Sequence, residues 1–261
     1  MRLWRGKLWT PLLVGGAMLA LLVGCQTCRR DVRVRAEPAA ADAPSPAPRE
    51  LVVLLHGMKR TGRSMAPMAK ALRGAGYDTL VCDYPSVWGV RETSGKVFDA
   101  LRPRLETAPT VHFVTHSLGG ILVRDAFRDG HAPPNLGRVV MLSPPNGGCE
   151  HIDRFSWIPF FGAIWGVPAR ELGTDPGAFP RTLPPLDFPC GVIAGTRPGL
   201  LGQLMPKPND GKVTVRSATA APGIAEWLEL PVNHTWMMRD PAVVSATLRF
   251  LRSGSFAAAH E

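Results

Sequence analysis

The sequence predicts an α/β fold built on a doubly wound, mostly parallel β-sheet. Short runs such as Leu51–Leu55 are apolar at every position, which is typical of strands that are covered on both faces. These runs alternate with longer segments in which apolar residues recur at helical spacing. Such alternation favours parallel strands with helices on both faces of the sheet.

The predicted strands and helices follow one another between residues 51 and 255. Strands are expected at 51–55, 79–82, 111–115, 138–142, 191–194 and 227–232. Helices are expected at 64–73, 97–105, 118–128 and 243–251, and Pro103 should disturb the end of the second helix. A chain of 261 residues has room for one large domain, and we assign 51–255 to it.

Composition and charge exclude several classes of protein. With 45% hydrophobic and 20% charged residues, the chain is not disordered throughout. Its net charge of +9 is concentrated near the N-terminus, and the rest shows no basic face interleaved with aromatic residues, so no nucleic acid is expected as a partner. No histidine pair has metal-ligand spacing, so we expect neither a metal nor another cofactor. No obligate protein partner is inferred.

The first 24 residues have the pattern of an export signal. A basic start, with Arg2, Arg5 and Lys7, precedes an apolar stretch at 8–24 that is short for a membrane-spanning helix. The stretch ends in Leu-Leu-Val-Gly-Cys, which resembles the lipobox of bacterial lipoproteins and implies lipid attachment at Cys25. Gln26 after that cysteine implies, by the same resemblance, the periplasmic side of the outer membrane. The alternatives are an ordinary signal peptide or an N-terminal anchor helix.

Residues 25–50 are interpreted as a lipid-attachment cysteine followed by a linker. The segment is rich in proline and alanine and shows no apolar periodicity. Its arginines lie beside the expected lipid anchor. They would either contact anionic headgroups or form a solvated tail.

A long irregular segment, 146–189, interrupts the alternation of strands and helices. It is rich in proline and glycine and contains Phe155, Trp157, Phe160, Phe161 and Trp165. Long loops of this kind are often functional, so we interpret the segment as a cap that contributes an apolar wall to a ligand site. The alternative is a structural excursion that packs elsewhere on the sheet. A disulfide between Cys149 and Cys190 across this segment is a further hypothesis, based on the export signal.

The clearest chemical signal is Thr-His-Ser-Leu-Gly-Gly at 115–120. A strand leads directly into Ser117, and a helix follows, which places the hydroxyl where the helix dipole favours negative charge. The tight turn requires small residues on either side; Gly119 fits, and Thr115 stands where a glycine is usual. The pattern resembles the nucleophile elbow of α/β-hydrolases. The alternative is a serine that merely caps a helix.

A serine nucleophile needs a base and an acid. His234 follows the last predicted strand, where the resemblance implies the base. Asp210, in an Asp-Gly loop after the fifth strand, is the expected acid, and the order Ser117, Asp210, His234 is that of the family. Asp83 and Asp187 are rival acids.

An oxyanion hole is the third requirement, and the first predicted strand ends in His56-Gly57-Met58. A His-Gly pair at this place resembles that of many lipases and esterases. The resemblance implies that the backbone N–H groups of Met58 and Leu118 bind the oxyanion, while His56 and Gly57 shape the loop.

Taken together, residues 51–252 resemble bacterial lipases and esterases of the α/β-hydrolase fold, including the branch related to GPI-inositol deacylases. The resemblance implies a membrane-tethered serine hydrolase that cleaves carboxylic acyl esters, with a small-molecule or lipid ester as substrate. Two alternatives remain open. One is an acyltransferase that uses the same triad, and the other is a non-catalytic envelope module that binds a ligand in the cleft.

Overall fold

The computed structural model of the chain describes residues 31–40, 49–157 and 165–258. The predicted signal at 1–24 and the lipid-attachment residue Cys25 lie outside the described residues, as do Phe160 and Phe161 of the predicted cap. In the described ranges no helix is long and apolar enough to cross a membrane.

A seven-stranded sheet forms the centre of the described structure. Its spatial order is β1-β3-β2-β4-β5-β6-β7; β2 to β7 run parallel, and β1 pairs antiparallel with β3. The strands are β1 Arg33–Glu37, β2 Leu51–Leu55, β3 Asp78–Asp83, β4 Val111–His116, β5 Leu136–Leu142, β6 Cys190–Gly195 and β7 Glu226–Leu230. All six predicted strands are therefore present, with small differences at their ends.

The strand β1 was not predicted, because its residues belong to the segment interpreted as a linker at 25–50. That interpretation is wrong for residues 33–40. Arg33 pairs with Asp83 and Glu37 with Thr79, and the Ala39 N–H donates to Asp78 Oδ1 at 2.8 Å. An edge strand is held mainly by backbone hydrogen bonds, so it needs little apolar sequence.

Helices cover both faces of the sheet, as predicted for a doubly wound fold. In the described residues they are α1 Ala66–Gly74, α2 Val90–Leu105, α3 Leu118–Arg128, α4 Glu150–Phe155, α5 Pro168–Glu171, α6 Phe179–Thr182, α7 Gly199–Gly202, α8 Val215–Ala218 and α9 Pro241–Ser253. Helices α2 and α3 pack on one face, with Phe98 and Ile121 in that core. Helices α1 and α9 pack on the other, with Met68 and Phe250.

The segment 146–189 is partly integrated into the domain. Leu172, Leu183 and Leu186 are buried in the core on the α2 and α3 face, and the Cys149 N–H donates to the Leu172 carbonyl at 2.7 Å. The described part of this segment thus packs against the sheet layer. Its role as a cap over a ligand remains a prediction.

The hypothesis of a Cys149–Cys190 disulfide is wrong, since both thiols are free and buried. Cys190 begins β6, whereas Cys149 follows the end of β5, a parallel neighbour in which Val139 pairs with Cys190. The two cysteines therefore lie towards opposite ends of adjacent strands. The Cys149 thiol instead donates to the Lys212 carbonyl at 3.3 Å.

Candidate active site

Ser117 occupies a strained turn between β4 and α3. Its φ of 52° and ψ of −118° lie in a region that residues with a side chain rarely adopt. The turn is held at both ends, because the Ser117 N–H donates to the Leu142 carbonyl at 2.9 Å and the Gly120 N–H donates to the Ser117 carbonyl at 3.0 Å. The side chain is partly exposed, above the N-terminus of α3.

The residues around Ser117 are small because the chain packs closely there. A Cβ added at Gly119 would lie 2.8 Å from the Leu55 carbonyl oxygen, so only glycine lets α3 pack this closely on β2. Thr115, which replaces the usual first glycine, is fully buried, and its Oγ1 has no hydrogen-bond partner among the described residues. The turn therefore accepts threonine there at the cost of an unpaired hydroxyl.

His234 and Asp210 form a buried pair. His234 Nδ1 lies 2.7 Å from Asp210 Oδ2, and the other carboxylate oxygen accepts the N–H groups of Lys212 at 3.0 Å and Val213 at 2.9 Å. Burial alone would raise the pKa of Asp210. The positive potential of His234 and these hydrogen bonds outweigh that effect and hold the pKa below its ordinary value.

The end of β6 brings the two loops of this pair together. A Cβ on Gly195 would lie 2.7 Å from Asp210 Cβ and 2.6 Å from the Val232 carbonyl oxygen. Glycine is therefore required where the Asp210 loop crosses the chain that leads to His234. The loops are also joined directly, because the His234 N–H donates to the Asp210 carbonyl at 3.0 Å.

The rival acids lie elsewhere. Asp83 Oδ1 accepts the Gly62 N–H at 3.2 Å and lies 3.7 Å from His56 Nε2, on the far side of the nucleophile turn from Asp210. Asp187 is exposed and precedes β6, at the opposite end of the sheet. Of the three candidates, Asp210 is the one placed against His234.

His116 connects the nucleophile turn to the His234 loop. Its ring centroid lies 4.7 Å from that of His234, and its Nε2 lies 3.0 Å from the His234 carbonyl oxygen. Since a carbonyl only accepts, Nε2 must carry the proton. Burial, the neighbouring His234 and Lys212 lower the pKa of His116 well below its ordinary value, so the ring is neutral.

The loop after β2 lies against the nucleophile. A Cβ on Gly57 would lie 3.1 Å from Ser117 Cβ. Within the part of the chain that the structure describes, neither the Met58 nor the Leu118 backbone N–H donates a hydrogen bond. Two free donors beside a serine are what an oxyanion hole requires.

His56 supports this loop from beneath. It is fully buried and stacks on Tyr84 with ring centroids 3.9 Å apart. The Tyr84 N–H donates to His56 Nε2 at 3.3 Å, which leaves the proton on Nδ1 to donate to the Gly57 carbonyl at 2.9 Å. The Tyr84 hydroxyl also donates to the His56 carbonyl.

No hydrogen bond joins Ser117 Oγ to His234 in the described residues. The elbow, the His–Asp pair and the free N–H groups nevertheless meet at the carboxyl end of the parallel strands. Hydrogen bonds of a catalytic serine are often long without substrate and shorten when substrate binds.

Three further residues support the site and were not foreseen from the sequence. Ser143 has a φ of 43°; its hydroxyl accepts the Gly195 N–H at 3.2 Å and helps to hold the pKa of Asp210 below its ordinary value. Tyr84 holds the loop after β2. Arg60 donates to the Thr235 carbonyl at 2.9 Å and so joins that loop to the His234 loop. The sequence signal that could have indicated Ser143 and Tyr84 was their position, because each directly follows a strand.

The described residues contain no group of three histidine, cysteine, aspartate or glutamate side chains arranged to hold a metal ion. The expectation that the protein uses neither a metal nor another cofactor stays a prediction.

Comparison with known proteins identifies the fold. No family model and no curated protein matches the sequence. The lipase BlEst2 of Bacillus licheniformis, in its mature form, matches with a TM-score of 0.68 at 20% identity, over 85% of this chain and 98% of that one. A structure from work on the metagenome-derived lipolytic enzymes LipS and LipT matches with a TM-score of 0.60 at 15% identity, over 84% of this chain and 97% of that one. The esterase RhEst1 of a Rhodococcus species matches with a TM-score of 0.55 at 14% identity, over 85% and 95%.

These likenesses, together with the sheet order and the turn at Ser117, show that the chain has the α/β-hydrolase fold. At identities this low they show the fold alone, because one fold supports many reactions.

Proposed function

We propose that this chain is a serine hydrolase that cleaves carboxylic acyl esters. The observation that carries the proposal is the position of the buried His234–Asp210 pair. Its Nδ1–Oδ2 distance is 2.7 Å, and His116 links its loop to the turn that presents Ser117. The structural neighbours that are lipases and esterases support the same class of reaction.

The arrangement assigns each group a role in ester cleavage. Asp210 accepts the Nδ1 proton of His234, which leaves Nε2 free to take the proton of Ser117. Ser117 Oγ attacks the ester carbonyl carbon, and the oxyanion that forms accepts the Met58 and Leu118 N–H groups. Each such donor typically lowers the barrier by about 3 kcal/mol.

The tetrahedral intermediate collapses in two stages. His234 returns its proton to the leaving alcohol oxygen as the carbon–oxygen bond breaks, which leaves an acyl ester on Ser117. Water then attacks the carbonyl carbon of this ester while His234 takes a proton from the water. The acid is released when Ser117 Oγ regains that proton.

Exposed apolar side chains favour a hydrophobic acyl group. Leu200 is 88% exposed, Leu204 59% and Trp236 53%. Trp236 lies two residues after His234. The segment bearing Leu200 and Leu204 packs on the Asp210 loop, because a Cβ on Gly202 would meet Gly211 Cα at 2.6 Å. An apolar rim beside the site suits a lipid-like ester.

A membrane tether is part of the proposal. The lipobox-like ending at Cys25 supports export and lipid attachment in the cell envelope, on the periplasmic side of an outer membrane, with residues after it spanning to the domain. A mass spectrum of the membrane-extracted protein tests this. A mature chain that begins at Cys25 with added acyl mass is expected, and an unmodified Cys25 contradicts the tether.

Hydrolysis of nitrophenyl butyrate and nitrophenyl palmitate tests the reaction. We expect turnover that Ser117→Ala abolishes and that Ser245→Ala, an exposed serine on α9, leaves unchanged. A preference for palmitate supports the apolar rim as the acyl site. Turnover that survives Ser117→Ala contradicts the nucleophile, whereas acylated glycerol formed on adding glycerol indicates the acyltransferase. A folded chain that neither turns over esters nor reacts with a fluorophosphonate indicates a binding module.

A further inference from the structure

One cavity of the described structure lies away from the candidate active site. It has a volume of about 450 Å³ and is bordered by α3, the loop after β5, α6 and the end of α8. None of its lining residues belongs to the Ser117, Asp210 and His234 set or to the loop after β2. A small-molecule site typically has a volume of roughly 300–1,000 Å³, so this cavity is large enough to hold a ligand.

Arg124 is the most unusual residue of this cavity. Only 3% of it is exposed, although it is a cation on a helix. Its Nη1 donates to Asn146 Oδ1 at 3.0 Å, and its Nη2 donates to the Leu183 and Pro184 carbonyls at 3.3 Å each. Its buried Nε–H has no acceptor among the described residues.

The charge of Arg124 is not neutralised within the described part of the chain. Its hydrogen-bond partners are an amide and two carbonyls, and it forms no ion pair with a carboxylate of the described residues. Burial lowers the pKa of Arg124 to about 10, so the guanidinium stays charged at neutral pH. A buried charge without a counter-charge is costly, and a bound anion would offset that cost.

Two more arginines line the same cavity. Arg181 and Arg216 are exposed, and among the described residues the Arg181 side chain donates only to the Thr174 carbonyl, at 3.2 Å. Among the described residues of the lining, Glu150 is the one carboxylate, and it accepts the Thr214 hydroxyl at 2.5 Å. Three cations therefore face one carboxylate, an imbalance that suits an anion with two negative charges.

We propose that this cavity binds a phosphate-bearing small molecule, with the phosphate at the arginines Arg124, Arg181 and Arg216. The exposed guanidinium groups of Arg181 and Arg216 can donate to the oxygens of a phosphate, while the buried charge of Arg124 favours an anion beside it. A phosphate monoester carries nearly two charges at neutral pH. Leu183, Ala221 and Pro222 form an apolar wall that suits the carbon skeleton of such a molecule. The site is independent of the proposed ester hydrolysis.

Isothermal titration calorimetry of the full chain in detergent tests the proposal. Inorganic phosphate, glycerol 3-phosphate and acetate are titrated at constant ionic strength, and mixed micelles with and without phosphatidic acid distinguish a lipid-borne phosphate from a free one. We expect saturable binding of both free phosphates and weaker or no binding of acetate. Arg216→Ala should weaken phosphate binding by about tenfold, and Arg181→Ala/Arg216→Ala should abolish it.

Exposed Arg170, on α5 but outside the cavity, provides the matched control as Arg170→Ala. The proposal is overturned if neither free phosphate binds, if acetate binds as tightly as phosphate, or if Arg170→Ala weakens binding as much as Arg216→Ala does. Binding only to micelles that contain phosphatidic acid also overturns it, since the cavity would then not be the site. Arg181 and Arg216 are both exposed, so their replacement is not expected to unfold the protein.

Discussion

Asp210 and His234 are joined twice. The carboxylate oxygen Oδ2 lies 2.7 Å from His234 Nδ1, and the Asp210 carbonyl accepts the His234 backbone N–H at 3.0 Å. The backbone bond fixes the distance between the two loops, and the side-chain bond fixes the tautomer of the ring. The pair is therefore preorganised by the protein before any ligand binds.

Asp210→Asn should leave the fold intact and remove most of the activity. The amide would no longer hold the required tautomer of His234, and the comparable change in a serine protease lowers kcat by about 10⁴-fold. Ester turnover and thermal melting measure the two effects. Asp83→Asn is the matched control, and an equal loss of kcat in that variant would show that the acid has been assigned wrongly.

Ser117→Gly should be inactive and more stable than the parent. The φ of 52° is strained for serine but accessible to glycine, so the substitution should add about 1 kcal/mol to the free energy of unfolding. Ser117→Ala should be inactive without that gain, because alanine keeps a Cβ. Chemical denaturation of both variants measures the difference, and equal stabilities would argue against stored strain at this turn.

Gly119→Ala should destabilise the protein and reduce turnover. Its Cβ would lie 2.8 Å from the Leu55 carbonyl oxygen, so α3 must move away from β2 and carry the Leu118 N–H with it. A cost of about 2 kcal/mol is expected. Gly95→Ala, at a position in α2 with open space around it, should instead stabilise the protein by about 0.5–1 kcal/mol. Melting of the two variants side by side checks the contrast; equal shifts contradict it.

Stability should fall between neutral pH and about pH 4. Burial, with smaller effects of Lys212 and His234, lowers the pKa of His151 to about 4, and the pKa of His116 is also lowered. Between its ordinary pKa near 6.5 and the lowered value, each ring binds a proton in the unfolded chain but not in the folded one. The unfolded state is then favoured as the pH falls.

His151→Gln isolates one part of this pH dependence. Glutamine does not titrate, so the variant should lose less stability than the parent between pH 7 and pH 5. Thermal melts at both values measure the change, and an identical loss in both proteins would exclude His151 as a contributor.

A chain that begins at residue 31 should be more stable than one that begins at residue 50. The shorter chain lacks β1, exposes the backbone of β3 and removes Val32 and Val34 from the core. The expected difference is about 2 kcal/mol in the free energy of unfolding. Denaturant melts of the two chains measure it, and equal midpoints would show that β1 contributes nothing.

The sequence alone determined the fold class and the position of most strands. Each parallel strand is an uninterrupted apolar run because it is covered on both faces, and such a run is visible without knowledge of its neighbours. The turn at Ser117 was also readable, since a tight strand-to-helix turn restricts the residues beside it. The choice of Asp210 among three aspartates rested on chain order, and the tertiary structure supplies the independent distance to His234.

Only the tertiary structure decided features that depend on residues far apart in the chain. β1 is held by backbone hydrogen bonds to β3, and such bonds do not require a recognisable pattern of side chains. Ser143 supports the site because the chain at Gly195 passes close to the Asp210 loop. Arg124 became notable only because it is buried and has no counter-charge among the described residues. Local patterns follow from strand and helix geometry, whereas burial, distance and charge balance are properties of the packed chain.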